Sequence, residues 1–219
     1  SANVNLYRTS WKDRVVTSSD VVDDVVQYTT NFGTEQLHTG VELDAKVRPN
    51  DIISFNAFAS IGDWQFKGEA VTQVTDEERN VLSTENNDFD GGKVGGAAQL
   101  SGGLGVNVRF NDMFSFDSDL RYYDNLYADV GAVKENLELP SFSVLDAGLT
   151  FSIPVGADKS NQFKIRTNMN NVLDKEYISR LTTANMVEAG DETYDGINVS
   201  NQGYFGWGRT WNLTLRYDF

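Results

Sequence analysis

Trp211-Asn212-Leu213-Thr214-Leu215-Arg216-Tyr217-Asp218-Phe219 alternates without a fault. Trp211, Leu213, Leu215, Tyr217 and Phe219 fall on one face, and Asn212, Thr214, Arg216 and Asp218 on the other, because side chains alternate along a strand with a period of two. One such strand fits many folds. Its recurrence along the chain, with no helical period between copies, is the pattern of an antiparallel β-barrel that crosses a membrane, with lipid on one side and water on the other.

The pattern recurs upstream. Phe163, Ile165 and Met169 alternate with Lys164, Arg166, Asn168 and Asn170, and Leu145, Leu149, Phe151 and Ile153 with Asp146, Thr150 and Ser152. Phe114, Phe116, Leu120 and Tyr122 oppose Asp117, Asp119 and Arg121; Leu104, Val106 and Val108 oppose Asn107 and Arg109. Ile53, Phe55, Ala57 and Ile61 continue the series, with Phe58 the exception, as do Val41, Leu43 and Val47 against Glu42, Asp44, Lys46 and Arg48. A first, less regular strand covers residues 2–11. That makes about eight strands of about ten residues, the length a tilted strand needs to cross a bilayer. Charges such as Glu42, Asp44, Asp117 and Asp119 cost a few kcal/mol each against lipid near the midplane, so their face is the wet one.

The connections sort by length. Residues 48–51, 111–112 and 156–161 are short and rich in turn formers, whereas residues 12–34, 62–98, 124–142 and 175–203 are long. Tight periplasmic turns alternating with long extracellular loops produce this order. Two other architectures share the alternation: a self-contained small barrel acting as pore or adhesin, and a soluble β-sandwich binding carbohydrate, whose apolar faces would meet in a dry core.

Composition narrows the function. The 219 residues carry no Cys, three Pro and 13 Phe, 9 Tyr and 4 Trp, with a formal charge of −14. The absence of Cys removes thiolate metal sites and disulfide scaffolds, and the negative charge argues against nucleic acid as a partner. Much of the acid lies in the long connections (Asp20, Asp23, Asp24; Asp76, Glu77, Glu78, Glu85, Asp88, Asp90; Glu188, Asp191, Glu192, Asp195), where solvation accounts for it. Glu42 with Asp44 and Asp117 with Asp119 have the two-residue spacing of a carboxylate pair, but Lys46, Arg48 and Arg121 share their faces, which describes a neutralised wet wall rather than a catalytic site. His38, the one histidine, reads as a solvated polar-face residue. Residues 86–91, Asn-Asn-Asp-Phe-Asp-Gly, match half a calcium loop, but Ala97 stands where its closing Glu belongs. Gly102, Gly103 and Gly105 lie inside a strand, where glycine permits close approach. No catalytic residue, metal ligand or cofactor is expected.

Asn170-Asn171-Val172-Leu173-Asp174-Lys175-Glu176-Tyr177 and Gly208-Arg209-Thr210-Trp211 with the terminal strand resemble the last two strands of the TonB-dependent outer-membrane receptors. Trp11-Lys12-Asp13-Arg14, Asn31-Phe32-Gly33 and Tyr122-Tyr123-Asp124-Asn125-Leu126-Tyr127 are similar to its strand patterns, and Gly62-Asp63-Trp64 to its Bacteroidetes members. The resemblance implies that residues 1–219 are the carboxyl-terminal segment of a barrel of about 22 strands, without its plug and about fourteen strands. The implied role is part of the wall of an outer-membrane receptor in a Gram-negative cell, importing an iron chelate, cobalamin or an oligosaccharide. Its implied partners are outer-membrane lipid, the nutrient, an energising TonB complex acting through the plug, and the barrel-assembly machinery. Ser1-Ala2-Asn3 carries no leader, which fits a piece of a longer, exported chain. Leu215, Tyr217 and Phe219 match the carboxyl-terminal signal for barrel assembly. Asp174, Lys175 and Tyr177 are expected to hold a strand end through a local ion pair and a girdle aromatic. Trp64, Phe66, Tyr127 and Tyr194, with Phe89 and Tyr204, are the loop aromatics expected to meet a ligand.

Overall fold

In the computed structural model, residues 1–22, 25–156 and 161–219 are described. Asp23 and Asp24, and residues 157–160 of the third short turn, lie outside them. The described residues form fifteen strands and no helix. In chain order these are β1 (Ala2–Val22), β2 (Val25–Val47), β3 (Ile53–Lys67), β4 (Glu69–Thr75), β5 (Val81–Asp88), β6 (Ala98–Arg109), β7 (Phe114–Tyr127) and β8 (Glu138–Leu139). Then come β9 (Phe142–Val155), β10 (Asn161–Asn170), β11 (Ile178–Leu181), β12 (Thr193–Tyr194), β13 (Ile197–Asn198), β14 (Gly203–Phe205) and β15 (Thr210–Asp218).

Eight of them make the wall, in the spatial order β1-β2-β3-β6-β7-β9-β10-β15, every pair antiparallel and each next to its predecessor among the wall strands. This is an up-and-down meander. Among the described residues β1 pairs only with β2 and β15 only with β10, so the sheet is an unclosed part of a barrel. A self-contained eight-strand cylinder is therefore not what the chain builds.

The register confirms the sorting of faces. Ile61, Val41 and Leu6 form one outward row, and Leu104, Ala57 and Leu120 another. Among the described residues nothing packs on this face: Leu6 is 75% exposed, Leu104 57%, Leu149 45% and Leu213 54%. The buried apolar clusters sit instead in the long connections, one around Phe66 and Phe89, the other around Leu139, Ile178 and Ile197. A β-sandwich would bury the apolar faces against each other, and this sheet leaves its own bare.

Two of the expected loops are largely strand: residues 62–98 hold the end of β3 and all of β4 and β5. Residues 12–22 and 25–34 are not a loop but the upper half of the β1–β2 hairpin, paired up to Val22 with Val25. A bulge near Arg14, with Gly33 at φ +78°, carries the hairpin past the apolar band. Its upper part pairs with β4, which pairs with β5, so four strands rise above the band as one sheet. Both faces of this extension lie outside the band, so selection for alternation stops there while Val15, Val16, Thr17, Val26, Tyr28, Thr29 and Thr30 still favour strand.

On the polar face, glycines let neighbouring side chains lie flat. Arg166 on β10 reaches over β9 to grip Asp117 on β7 through two bonds of 2.6 and 2.9 Å. The residue it crosses is Gly148, where a Cβ would stand 2.6 Å from both partners. Gly103 likewise lies under the ring of Phe58, the one apolar residue that broke the alternation, and Gly105 lies beside Asp119 and Asn56. Arg121 pairs with Asp146, and Lys164 with Asp218 at 2.9 Å. We predict that Gly148→Val pushes the Arg166–Asp117 pair off the wall and costs about 1–3 kcal/mol, the usual range for overpacking. Lower unfolding temperature of the natural protein in detergent checks this; an unchanged value refutes it.

Candidate functional site

The chemistry concentrates where the polar face meets the long connections. Trp11 (β1), His38 (β2) and Trp64 (β3) stand side by side on three neighbouring strands. The Trp11 and His38 rings are 5.7 Å apart and 9° from parallel; His38 and Trp64 are 5.1 Å apart at 11°. The register makes this row, because His38 lies opposite Trp64 and Trp11 opposite Gln36 on the same face. Arg14 caps the row with its guanidinium 4.9 Å over the Trp11 ring, and also bonds to Gln36. Trp64 closes the other end: its Nε1–H donates to the Tyr7 hydroxyl at 2.8 Å, and its backbone N–H donates to the buried Gln99 amide. Gly40 and Gly62 make room beneath the Tyr7 and Trp64 rings.

His38 is thus not simply solvated. Two indoles enclose it, and its Nε2 has no hydrogen-bond partner among the described residues. Sequence reasoning missed this row because Trp11, His38 and Trp64 are far apart in the chain. Counting even positions on 36–46 and 54–64 against odd ones on 3–11 would have put them on one face.

The other candidates sit among the loops. Phe66 is fully buried and packs with Ala70, Phe89, Val94 and Ala132, so neither it nor Phe89 offers surface to a ligand; they hold the second long connection together. Tyr127 lines a cavity of about 240 Å³ with Leu126, Leu139, Arg180 and Leu181. Burial raises its hydroxyl pKa, and the charges of Glu138, Asp63 and Asp124 add to this. Tyr194 stands edge-on to Phe205 with centroids 5.8 Å apart, and with the exposed Tyr204 borders a cavity of about 230 Å³. The structure therefore brings Trp64 together with Trp11 and His38, whereas Tyr127 and Tyr194 border two cavities of the loop layer that share Leu181.

The loops are clamped to one another. Gly92 and Gly95 pass so close to the carbonyls of Val133 and Asp129 that no Cβ fits. Lys134 bonds Asp88 at 2.8 Å, Asn136 donates to the Lys93 carbonyl, and Lys93 bonds Asp63 at 2.6 Å. The ammonium groups of Lys134 and Lys93 hold Asp88 and Asp63 below the usual carboxylate range. Asp88 and Asp90, read from the sequence as half a calcium loop, thus engage Lys134 and Lys67.

In the last connection Asp174 pairs with Arg209 at 3.5 Å, not with Lys175. Tyr177 stacks on Phe142 at 4.0 Å and leaves no room for a Cβ at Gly206. The anchor is Asn171, buried with φ +50°: its amide donates to the carbonyls of Lys175 and Trp207, and its oxygen accepts from the Lys175 N–H. Leu215 and Tyr217 lie exposed on the apolar face of the edge strand β15, and Phe219, just past its end, is exposed as well. The carboxylates Glu42 and Asp44 accept from Asn5 and Asn3, and Asp117 is held by Arg166, which are wall contacts.

A comparison with protein families matches residues 1–172 to the family described as "TonB dependent receptor-like, beta-barrel". No curated protein sequence matches. Among solved structures, the siderophore receptor PiuA from Acinetobacter baumannii is similar at a TM-score of 0.57 and 16% identity. The similarity covers 99% of this chain and 28% of that one, so the chain spans under a third of that receptor's length.

Two outcomes follow from the clamps. Asn171→Ala leaves buried carbonyls unsatisfied and costs about 2–4 kcal/mol, from roughly 1–3 per orphaned group; limited proteolysis should then cut within residues 175–203. Because the Asp63 and Asp88 pKa values are lowered, their contribution is complete above the ordinary carboxylate pKa and lost as pH falls through the depressed one. Loop protection from protease should thus persist at about pH 5 and fail only well below about pH 4.

Proposed function

This chain belongs to the TonB-dependent receptor-like β-barrel family, and on that premise we propose that it supplies part of the wall and mouth of a receptor that binds and imports a scarce nutrient. Members of this family are receptors and transporters rather than enzymes, and are outer-membrane proteins of Gram-negative bacteria. For this chain we propose the same location, with acyl chains against the bare apolar face. Residues 1–219 are proposed as the carboxyl-terminal segment of the barrel domain, working with a plug and an energising TonB complex. Leu215, Tyr217 and Phe219 are proposed as its signal to the assembly machinery.

The observation that carries this reading is the division of one sheet into a bare apolar face and a charge-paired polar face, with the latter's aromatic row set beside clamped loops. A row of parallel rings with Trp11 exposed offers stacking surface to a planar or cyclic ligand. Since one similar solved structure is that of a siderophore receptor, a ferric chelate is the first ligand to test, ahead of cobalamin and oligosaccharides. Trp64 and Trp11 are its proposed contacts, with Tyr127 and Tyr194 meeting it from the loops.

The test is a fluorescence titration of the natural full-length receptor with ferric hydroxamates and catecholates, cobalamin and maltooligosaccharides, alongside uptake by cells. One ligand should quench tryptophan emission, and Trp11→Ala or Trp64→Ala should weaken its binding about 2- to 12-fold, the equivalent of roughly 0.5–1.5 kcal/mol for an aromatic pair. Failure of every ligand class to bind, with uptake unaffected by loss of the protein, would overturn the proposal.

A further inference from the structure

Arg121, Lys164, Arg166 and Arg216, on the polar face of β7, β10 and β15, each pair with an aspartate. The same face is different where β2 and β6 meet the short turns. Lys46 and Arg48 occupy even positions of β2 and its turn, and Arg109 an odd position of β6, which are the polar-face positions there. Together with Asp51 they line a cavity of about 300 Å³. Arg48 binds Asp51 at 2.9 Å. The side chains of Lys46 and Arg109 have no ion pair or hydrogen bond among the described residues.

Three cations and one carboxylate around a single cavity repel one another on balance. Neighbouring acids do not relieve this, since Asp117 is taken by Arg166 and Asp44 accepts from Asn3. More donors surround the same space. Ser54 lies opposite Asn107, and Ser115 opposite Arg109, all at polar-face positions. The set thus offers an ammonium, a planar guanidinium fork, two hydroxyls and an amide. Such a set fits an anion with several acceptor oxygens, which removes the repulsion and fills the donors at once. A neutral sugar would leave the charges unmatched, and a cation would add to them.

Position gives this site its place in the function. Lys46 is eight residues from His38 on the same face of β2, roughly 20 Å along the wall at about 3.3 Å per residue and a tilt of about 40°. The aromatic row stands at the end of the long connections, and the cationic cavity at the end of the short turns. A ligand moving along this face from the loops meets the rings first and the cations last. We propose that the cavity is a second binding site, for an anionic ligand carrying two or more carboxylate or phosphate groups, occupied before release at the short-turn end. The inference rests on the receptor reading above and narrows its nutrient to an anion.

The test titrates the natural full-length receptor in detergent with inorganic pyrophosphate, by calorimetry and by thermal unfolding. Pyrophosphate should bind, raise the unfolding temperature, and lose affinity as added salt screens the charges. Lys46→Gln and Arg109→Gln should each weaken binding about tenfold or more, the scale of one hydrogen bond to a charged group. Arg79→Gln, in the β4–β5 turn, should leave it unchanged. Without pyrophosphate the two variants should unfold no lower than the natural protein, because each removes a repelling charge. A lower unfolding temperature overturns the assignment in favour of cations held by an acidic segment of the receptor itself. Absence of binding, or binding that survives both substitutions, refutes it as well. In cells the double variant should import the nutrient several-fold more slowly while quenching of tryptophan at the mouth persists. Unchanged uptake overturns the anionic class and leaves the receptor reading intact. If no nutrient is bound or imported by the natural protein, the receptor reading falls, whatever pyrophosphate does.

Discussion

Every other feature depends on the backbone ladder between adjacent antiparallel strands. A spanning strand in hydrocarbon has no water for its N–H and C=O groups, so each must bond to a neighbour. In this wall the pairing runs between consecutive strands, and it aligns side chains into rows across the sheet. Once the rows exist, one face can be wholly apolar and the other wholly wet. The bare Leu6, Leu104, Leu149 and Leu213 on one side and the Arg166–Asp117 and Lys164–Asp218 pairs on the other are consequences of that geometry.

The polar face has a second constraint, which is depth. Charged and aromatic side chains projecting from every position would crowd the interior, and the chain avoids this by setting glycines beside them. Arg166 crosses Gly148, Phe58 lies over Gly103, and Tyr7 and Trp64 lie over Gly40 and Gly62. The result is a low wall with fixed rings and paired charges, topped by connections that are clamped rather than free. Pre-set surfaces of this kind reduce the ordering that binding would otherwise cost.

Legibility in the sequence followed the physics of the surroundings. Strands inside the apolar band announced themselves, because a bare apolar face backed by a charged and polar one keeps the period of two. The same strands became invisible above the band, which is why residues 12–34 read as a loop. Phe58 looked like an error until Gly103 appeared opposite it. The Trp11–His38–Trp64 row depends on registers set by turns and bulges far away, so no local window contains it. Phe66 and Trp64 look alike in the chain and share one face of β3, yet Phe66, further up the strand, is closed over by the loop core, whereas Trp64 packs against that core and stacks on His38. Asp174 was paired in expectation with its neighbour Lys175, whereas the turn after β10, held by Asn171, delivers it to Arg209.

The division of the sheet into a lipid face and a wet face is decided by what touches each side. Single-cysteine variants carrying a nitroxide measure this directly in the reconstituted natural protein, since the chain itself has no Cys. Leu104→Cys, Leu149→Cys and Leu213→Cys should be relaxed strongly by dissolved oxygen and weakly by a water-soluble nickel chelate, and Asn107→Cys, Thr150→Cys and Thr214→Cys the reverse. Equal exposure of both sets to the nickel chelate, or burial of the leucine set away from both reagents, would contradict it.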